Sequence, residues 1–158
     1  MQVIFYKAMY GNFFDKLIAW WTSSFDDKIS GKWRQSYSHC EILFDDGQMF
    51  SASQYENLTR FKKCNTDSKV WKHVDIKCTM HQIEEVRSFC VRNSGRMYDY
   101  LGVLGFIICI QDDKHKWFCS EIVTAALLDC TIIFGLKPSK TSPNGLYQYI
   151  TEGINNVD

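Results

Sequence analysis

The chain has no excess of either charge: Lys plus Arg and Asp plus Glu each number 18. A nucleic-acid binder carries a basic surplus, so nucleic acid is not an expected partner. No long apolar run is present. The longest, Tyr100 to Ile110, spans 11 residues and contains Gly102 and Gly105, too short to cross a bilayer, so stable membrane insertion is not expected. The N-terminus, Met1-Gln2-Val3-Ile4-Phe5-Tyr6-Lys7, lacks the charged lead and apolar core of a secretory signal. There is no Cys-x-x-Cys pair. The seven cysteines are odd in number and irregularly spaced, which argues for reduced thiols in a cytoplasmic setting and offers no zinc cluster. No metal or other cofactor is expected. No repeat, low-complexity tract or linker divides the chain, so one domain over 1–158 is expected.

What is present is a mixture of periodicities. Residues 2–8 fit a strand. Residues 12–24 fit an amphipathic helix, with Phe13, Phe14, Leu17, Ile18, Trp20 and Trp21 at three- and four-residue spacing. The polar segment from Asp26 to Gln35 reads as a loop. Strands near 37–44 and 48–52 flank the turn Asp45-Asp46-Gly47, whose Asp-Gly step favours a hairpin. Strands near 58–63 and 69–77 complete an expected antiparallel sheet. Thr79-Met80-His81-Gln82 matches a capping box opening a helix to about Asn93, with a break at Gly95. A shorter helix is expected within 97–110, then a loop over 111–116. A helix opens at Cys119, and Ser142-Pro143 opens a last one through about Thr151. The tail 155–158 is expected to fray. Strand and helix, then strands, then helices, is an α+β order.

Two residues stand out chemically. Free cysteine is commonly a small core hydrophobe, which is the reading adopted for six of the seven. Cys119 differs by position: it follows a polar loop and opens Cys119-Ser120-Glu121-Ile122-Val123-Thr124-Ala125-Ala126. A thiol there feels the positive end of the helix dipole, which favours thiolate. His39 lies in Tyr37-Ser38-His39-Cys40-Glu41-Ile42-Leu43-Phe44. Strand alternation puts Cys40, Ile42 and Phe44 on a wholly apolar core face and His39, Glu41 and Leu43 on the other, where a cleft can lie. Glu41 sits about 7 Å along the strand from His39, placed either to orient the imidazole or to be solvated. His73, His81 and His115 have no comparable context.

Ser38-His39-Cys40-Glu41-Ile42 followed by Asp46-Gly47-Gln48-Met49-Phe50-Ser51-Ala52 resembles the histidine hairpin of NlpC-type papain-like hydrolases. Trp117-Phe118-Cys119-Ser120-Glu121 resembles their nucleophile helix. In ordinary members Cys precedes His; here His39 precedes Cys119 by 80 residues. That order is similar to the circularly permuted branch, which includes the YiiX-like proteins and the lecithin:retinol acyltransferase relatives. Tyr98-Asp99-Tyr100 and Ser142-Pro143-Asn144-Gly145-Leu146 fit that branch. Phe14-Asp15-Lys16-Leu17-Ile18-Ala19-Trp20-Trp21 looks like versions carried by bacteriophages, which would place the protein in the host cytoplasm.

The resemblance implies a permuted papain-like fold, an antiparallel sheet packed against helices that include the nucleophile helix. It implies Cys119 as nucleophile, His39 as its base and proton donor, and the backbone N–H of Cys119 as an oxyanion donor. The family's third polar residue falls at Ser51, a weaker orienter than a carboxylate, with Glu41 as the substitute. Tyr98 is placed to line a substrate cleft, and Trp20, Trp21 and Trp33 form either an apolar cleft wall or core. The implied activity is cleavage of an amide or peptide bond through a thioester acyl-enzyme, on a peptide, a peptidoglycan stem or an acyl substrate. The competing readings are a lipid or thioester acyl hydrolase or acyltransferase, and a non-catalytic module binding a host protein. A redox thiol protein would want a resolving cysteine near Cys119, and none is adjacent in the sequence.

Overall fold

The computed structural model describes residues 1–63, 65–100 and 116–153. Seven strands are described: β1 (Gln2–Lys7), β2 (Tyr37–Leu43), β3 (Met49–Ser53), β4 (Leu58–Lys62), β5 (Trp71–Asp75), β6 (Met97–Tyr98) and β7 (Lys116–Trp117). They form one sheet in the order β5-β1-β2-β3-β4-β6-β7. Every neighbouring pair is antiparallel except β6 with β7, which run parallel. The described α-helices are α1 (Phe13–Thr22), α2 (Phe25–Ser30), α3 (Met80–Arg92), α4 (Cys119–Asp129) and α5 (Pro143–Gly153). The class is α+β. Among the described residues no helix is long and apolar enough to cross a membrane.

Alternation along the strands builds the core. Val3, Phe5, Cys40, Ile42, Phe50 and Ala52 all point to one face and are fully buried. Against that face lie Val86, Phe89 and Cys90 of α3, Ile122, Val123, Ala126 and Leu127 of α4, and Leu146 and Ile150 of α5. The expected caps hold these helices in place. The Gln82 N–H donates to Thr79 Oγ1 at 3.2 Å and the Thr79 N–H to Gln82 Oε1 at 3.0 Å. At α5 the Gly145 N–H donates to Ser142 Oγ at 3.0 Å. The β2–β3 hairpin turns at Gly47, whose φ of +77° suits glycine.

Three expectations are corrected. The polar segment 26–35 holds α2 and a 3₁₀ turn (Lys32–Gln35). Ser24 caps α2 by accepting the Asp27 N–H, Asp26 and Asp27 sit in its first turn, and Gly31 closes it in the left-handed region. The capping signals were present, but α2 has only Phe25 and Ile29 as large apolar residues, both exposed, so no buried stripe marks it. Residues 97–98 and 116–117 form strands that extend the sheet rather than helix and loop. Residues 101–110 of the helix expected within 97–110, the 111–115 loop with His115, and the 155–158 tail lie outside the described residues. The sheet also has one parallel pair where a wholly antiparallel one was expected.

The β2–β3 ladder is short. It pairs only Ile42 with Phe50 and Leu43 with Met49, whereas β1 follows β2 from Leu43 to Tyr37. Residue 40 lies two back from 42, so its N–H and C=O point the same way, into the space that β3 has left. Ser51 Oγ fills half of that vacancy, donating to the Cys40 carbonyl at 2.7 Å. Ser51→Ala should therefore lower unfolding free energy by about 1–3 kcal/mol, the cost of a buried carbonyl left unsatisfied. Urea titration checks this; a change within about 0.5 kcal/mol, as for an ordinary surface site, would contradict it.

Candidate active site

The gap between β2 and β3 is where Cys119 enters. As the first residue of α4 it is all but buried, 4% exposed, and near enough to His39 and Cys40 for both to shift its pKa. His39 and Cys40 are consecutive on β2, with side chains on opposite faces. Both act on the Cys119 thiol, as does the Cys40 backbone N–H. A bulge next to His39 helps set its direction: Tyr6 pairs with His39 but Lys7 pairs with Tyr37, leaving Ser38 as the extra residue. The Ser38 hydroxyl donates to Asp15 Oδ1 of α1 at 3.1 Å, anchoring the bulge.

The electrostatics favour an ion pair. The Cys40 thiol donating to Cys119 pulls the Cys119 pKa down; burial pushes it up, and the His39 charge and the Cys40 N–H bring it well below the ordinary thiol value. Burial lowers the His39 pKa, but the Cys119 charge and hydrogen bond, then Glu41, overcome it and raise it to about 10. The two shifts run in the directions that favour thiolate on Cys119 and imidazolium on His39. At the helix start, the Cys119 N–H has no intrahelical acceptor, leaving a donor beside the sulfur.

Behind His39 stands a carboxylate held by a guanidinium. His39 Nε2 meets Glu41 Oε1 at 3.0 Å, which leaves Nδ1 as the ring nitrogen for Cys119. Glu41 is 2% exposed, so the solvated reading of this residue does not apply. Arg60 of β4 grips it with both terminal nitrogens, to Oε2 and Oε1 at 3.0 Å each, and its Nε reaches Glu56 Oε2 at 2.8 Å. Burial raises the Glu41 pKa, but the hydrogen bonds and charges of His39 and Arg60 lower it to about 2.

The other residues singled out in the sequence are placed as follows. Ser51 is fully buried and bonded to the Cys40 carbonyl, while Glu41 is the group on His39 Nε2. Tyr98 is buried, 3% exposed, and close enough to Cys119 that the thiolate charge, after burial itself, raises its hydroxyl pKa. Its ring centroid lies 4.8 Å from that of Tyr100. Trp20 and Trp21 form neither core nor cleft wall; both are exposed on α1, where Lys28 sits over their rings. Trp33 is half-buried and likewise outside the cleft.

The cleft opens on the His39 face with a volume of about 320 Å³. Tyr6, Tyr55 and Trp71 give it aromatic walls, and Asp15, Glu41, Glu56, Arg60 and Lys62 give it charge. Sequence reasoning missed Arg60 and the second thiol, Cys40. Arg60 reaches Glu41 only because Arg60 pairs with Ser51 across β3–β4, a register that no local motif encodes. Cys40 looked like core because its own face is core; only the open ladder brings Cys119 to it.

Compared with protein-family models, curated proteins and solved structures, the chain matches none.

Two outcomes follow from this geometry. Iodoacetamide should label Cys119 rapidly at pH 6–7, because the thiolate is already formed there, and His39→Ala should move the labelling profile toward the ordinary thiol range of about 8.5. Site-resolved mass spectrometry reads this, and a wild-type profile that rises only near pH 8.5 would contradict the ion pair. Arg60→Met strips the buried carboxylate of its bidentate partner and should cost about 3 kcal/mol of stability at pH 7. The Glu41 pKa is depressed on folding, so its contribution is complete above 4.5 and is lost as pH falls toward about 2. The His39 pKa is raised, so its contribution is complete below 6.5 and is lost as pH rises through about 10. Denaturant titration of both proteins across pH should show the wild-type advantage shrinking in acid; a constant difference down to pH 2 would contradict the assignment.

Proposed function

We propose that this chain is a cysteine-dependent hydrolase of the circularly permuted papain-like, NlpC-type fold, cleaving an amide or peptide bond through a thioester acyl-enzyme. The observation that carries the reading is the relay Cys119–His39–Glu41, with Glu41 fixed by Arg60. Cys119 Sγ attacks the substrate carbonyl carbon, and the resulting oxyanion lies toward the N–H at the start of α4. His39 gives its proton to the leaving amine. It then takes one from the water that opens the thioester, returning the thiolate and releasing a carboxylic acid. Glu41 keeps the imidazole ring oriented and favours its protonated form throughout.

The cleft lining bears on the substrate. Three carboxylates, Arg60 and Lys62 suit a polar peptide or peptidoglycan stem. A long acyl chain would call for an apolar groove. Free cysteines at 40, 78, 90, 119 and 130 fit a reducing, cytoplasmic setting. A second reading, a non-catalytic module that binds a host protein through the same cleft, is favoured by one observation, the 4% exposure of Cys119.

Incubation with peptide amides, peptidoglycan stem peptides and short acyl thioesters, followed by intact-mass analysis, separates the two. The hydrolase reading expects a covalent acyl adduct on Cys119 and turnover of an amide substrate. Cys119→Ala should remove both, with a loss of activity of about 10³-fold or more. Binding of such peptides with neither adduct nor turnover would favour the module.

A further inference from the structure

Helix α1 turns outward the side that its sequence marks as apolar. Phe13, Leu17, Trp20 and Trp21, at positions i, i+4, i+7 and i+8, share one face. The residues that α1 buries, Asp15 and Ala19, lie on the other. Phe13 is 81% exposed, and Trp20 and Trp21 are exposed as well. On α2, Phe25 and Ile29 again share a face and are 75% and 72% exposed. Of the thirteen large apolar side chains exposed among the described residues, seven fall between Met9 and Ile29. Apolar side chains exposed singly are ordinary, but a cluster of this kind marks an interaction surface.

The cluster has cations set within it. Lys28 Nζ of α2 donates to the Trp21 carbonyl at 3.1 Å and lies 5.0 Å and 5.7 Å from the ring centroids of Trp20 and Trp21. The Arg34 guanidinium lies 5.6 Å from the Trp33 ring. Apart from the buried Asp15, residues 9–35 carry Lys16, Lys28, Lys32 and Arg34 against Asp26 and Asp27, a local excess in a chain whose charges balance. The dry centre of a protein–protein interface is depleted in lysine. A lipid surface takes the combination: aromatic rings settle at headgroup level, aliphatic and phenyl groups enter the acyl boundary, and lysines reach the phosphates. We propose that the α1–α2 face binds the surface of a bilayer rich in anionic phospholipid, lying on it rather than crossing it. Asp15, on the opposite side of α1, lines the cleft, so adsorption would hold the cleft about 10 Å from the lipid, the width of one helix. The inference rests on the exposed aromatics and their cations and not on the hydrolase reading, so its test needs no substrate.

The full chain is mixed with vesicles of phosphatidylglycerol and phosphatidylcholine in equal parts, or of phosphatidylcholine alone, and binding is read by co-sedimentation and by the tryptophan emission. The expected result is binding to the anionic vesicles, with emission shifted to the blue, and much weaker binding to the neutral ones. Phe13→Ser with Phe25→Ser, both at exposed positions, should weaken binding about tenfold or more. Lys28→Ala should weaken it about fivefold, and raised salt should erase that difference. Failure to bind anionic vesicles would overturn the proposal, as would undiminished binding by the Phe13→Ser, Phe25→Ser double variant. Equal binding to neutral vesicles would remove the role given to the cations and overturn the assignment to an anionic surface. Light scattering in the absence of lipid supplies the remaining outcome. A dimer that the double variant breaks into monomers would assign the face to a second copy of the chain and overturn the proposal.

Discussion

The ladder between β2 and β3 ends after Leu43–Met49 and Ile42–Phe50, and the unpaired backbone of Cys40 that this leaves is the constraint around which the site is arranged. A buried strand cannot leave a carbonyl and an amide without partners. Ser51 supplies a hydroxyl to one, and Cys119 supplies its sulfur to the other. His39 stands on the cleft side of β2 and Cys40 on the core side, and both act on the Cys119 thiol. Had β3 continued to pair at residue 40, α4 would have no opening and the two halves of the dyad would be separated by the sheet.

Charge is then stacked in alternating order along one line. The Cys119 thiolate faces the His39 imidazolium, which faces the Glu41 carboxylate, which is gripped by the Arg60 guanidinium and, beyond it, Glu56. Each buried charge has an opposite neighbour, without which its desolvation would return it to the neutral form. This explains why Glu41 tolerates burial, and why the Cys119 pKa falls at a site almost closed to water. The two faces of the sheet divide the work: α3, α4 and α5 supply apolar cover on one, and the polar cleft lies on the other.

Much of the framework was legible in the chain. Alternation in Tyr37–Phe44 assigned Cys40, Ile42 and Phe44 to the core and His39 with Glu41 to the opposite face. The Thr79–Gln82 and Ser142–Pro143 signals placed two helix starts. These are local patterns, set by residues within a few positions of each other. What stayed hidden depends on register between distant segments. Arg60 joins the site through its pairing with Ser51, and Cys40 through a ladder that stops early. Short α2 escaped because its stability rests on caps rather than on a buried stripe. Trp20, Trp21 and Trp33, read as either cleft wall or core, are neither cleft wall nor buried core, and the aromatic walls stayed hidden for the same reason: Tyr6, Tyr55 and Trp71 come from three separate segments that only the fold assembles.

The central claim is that His39 and Cys119 form an ion pair in the resting protein, and the imidazole itself reports it most directly. Titration of ¹³C- and ¹⁵N-labelled His39 by NMR should show the ring fully protonated through neutral pH and losing its proton only near pH 10. In Cys119→Ser, where the thiolate is gone, the transition should fall by several pH units while Glu41 still holds one nitrogen. A wild-type imidazole that titrates near the ordinary value of about 6.5, with or without Cys119, would contradict the ion pair.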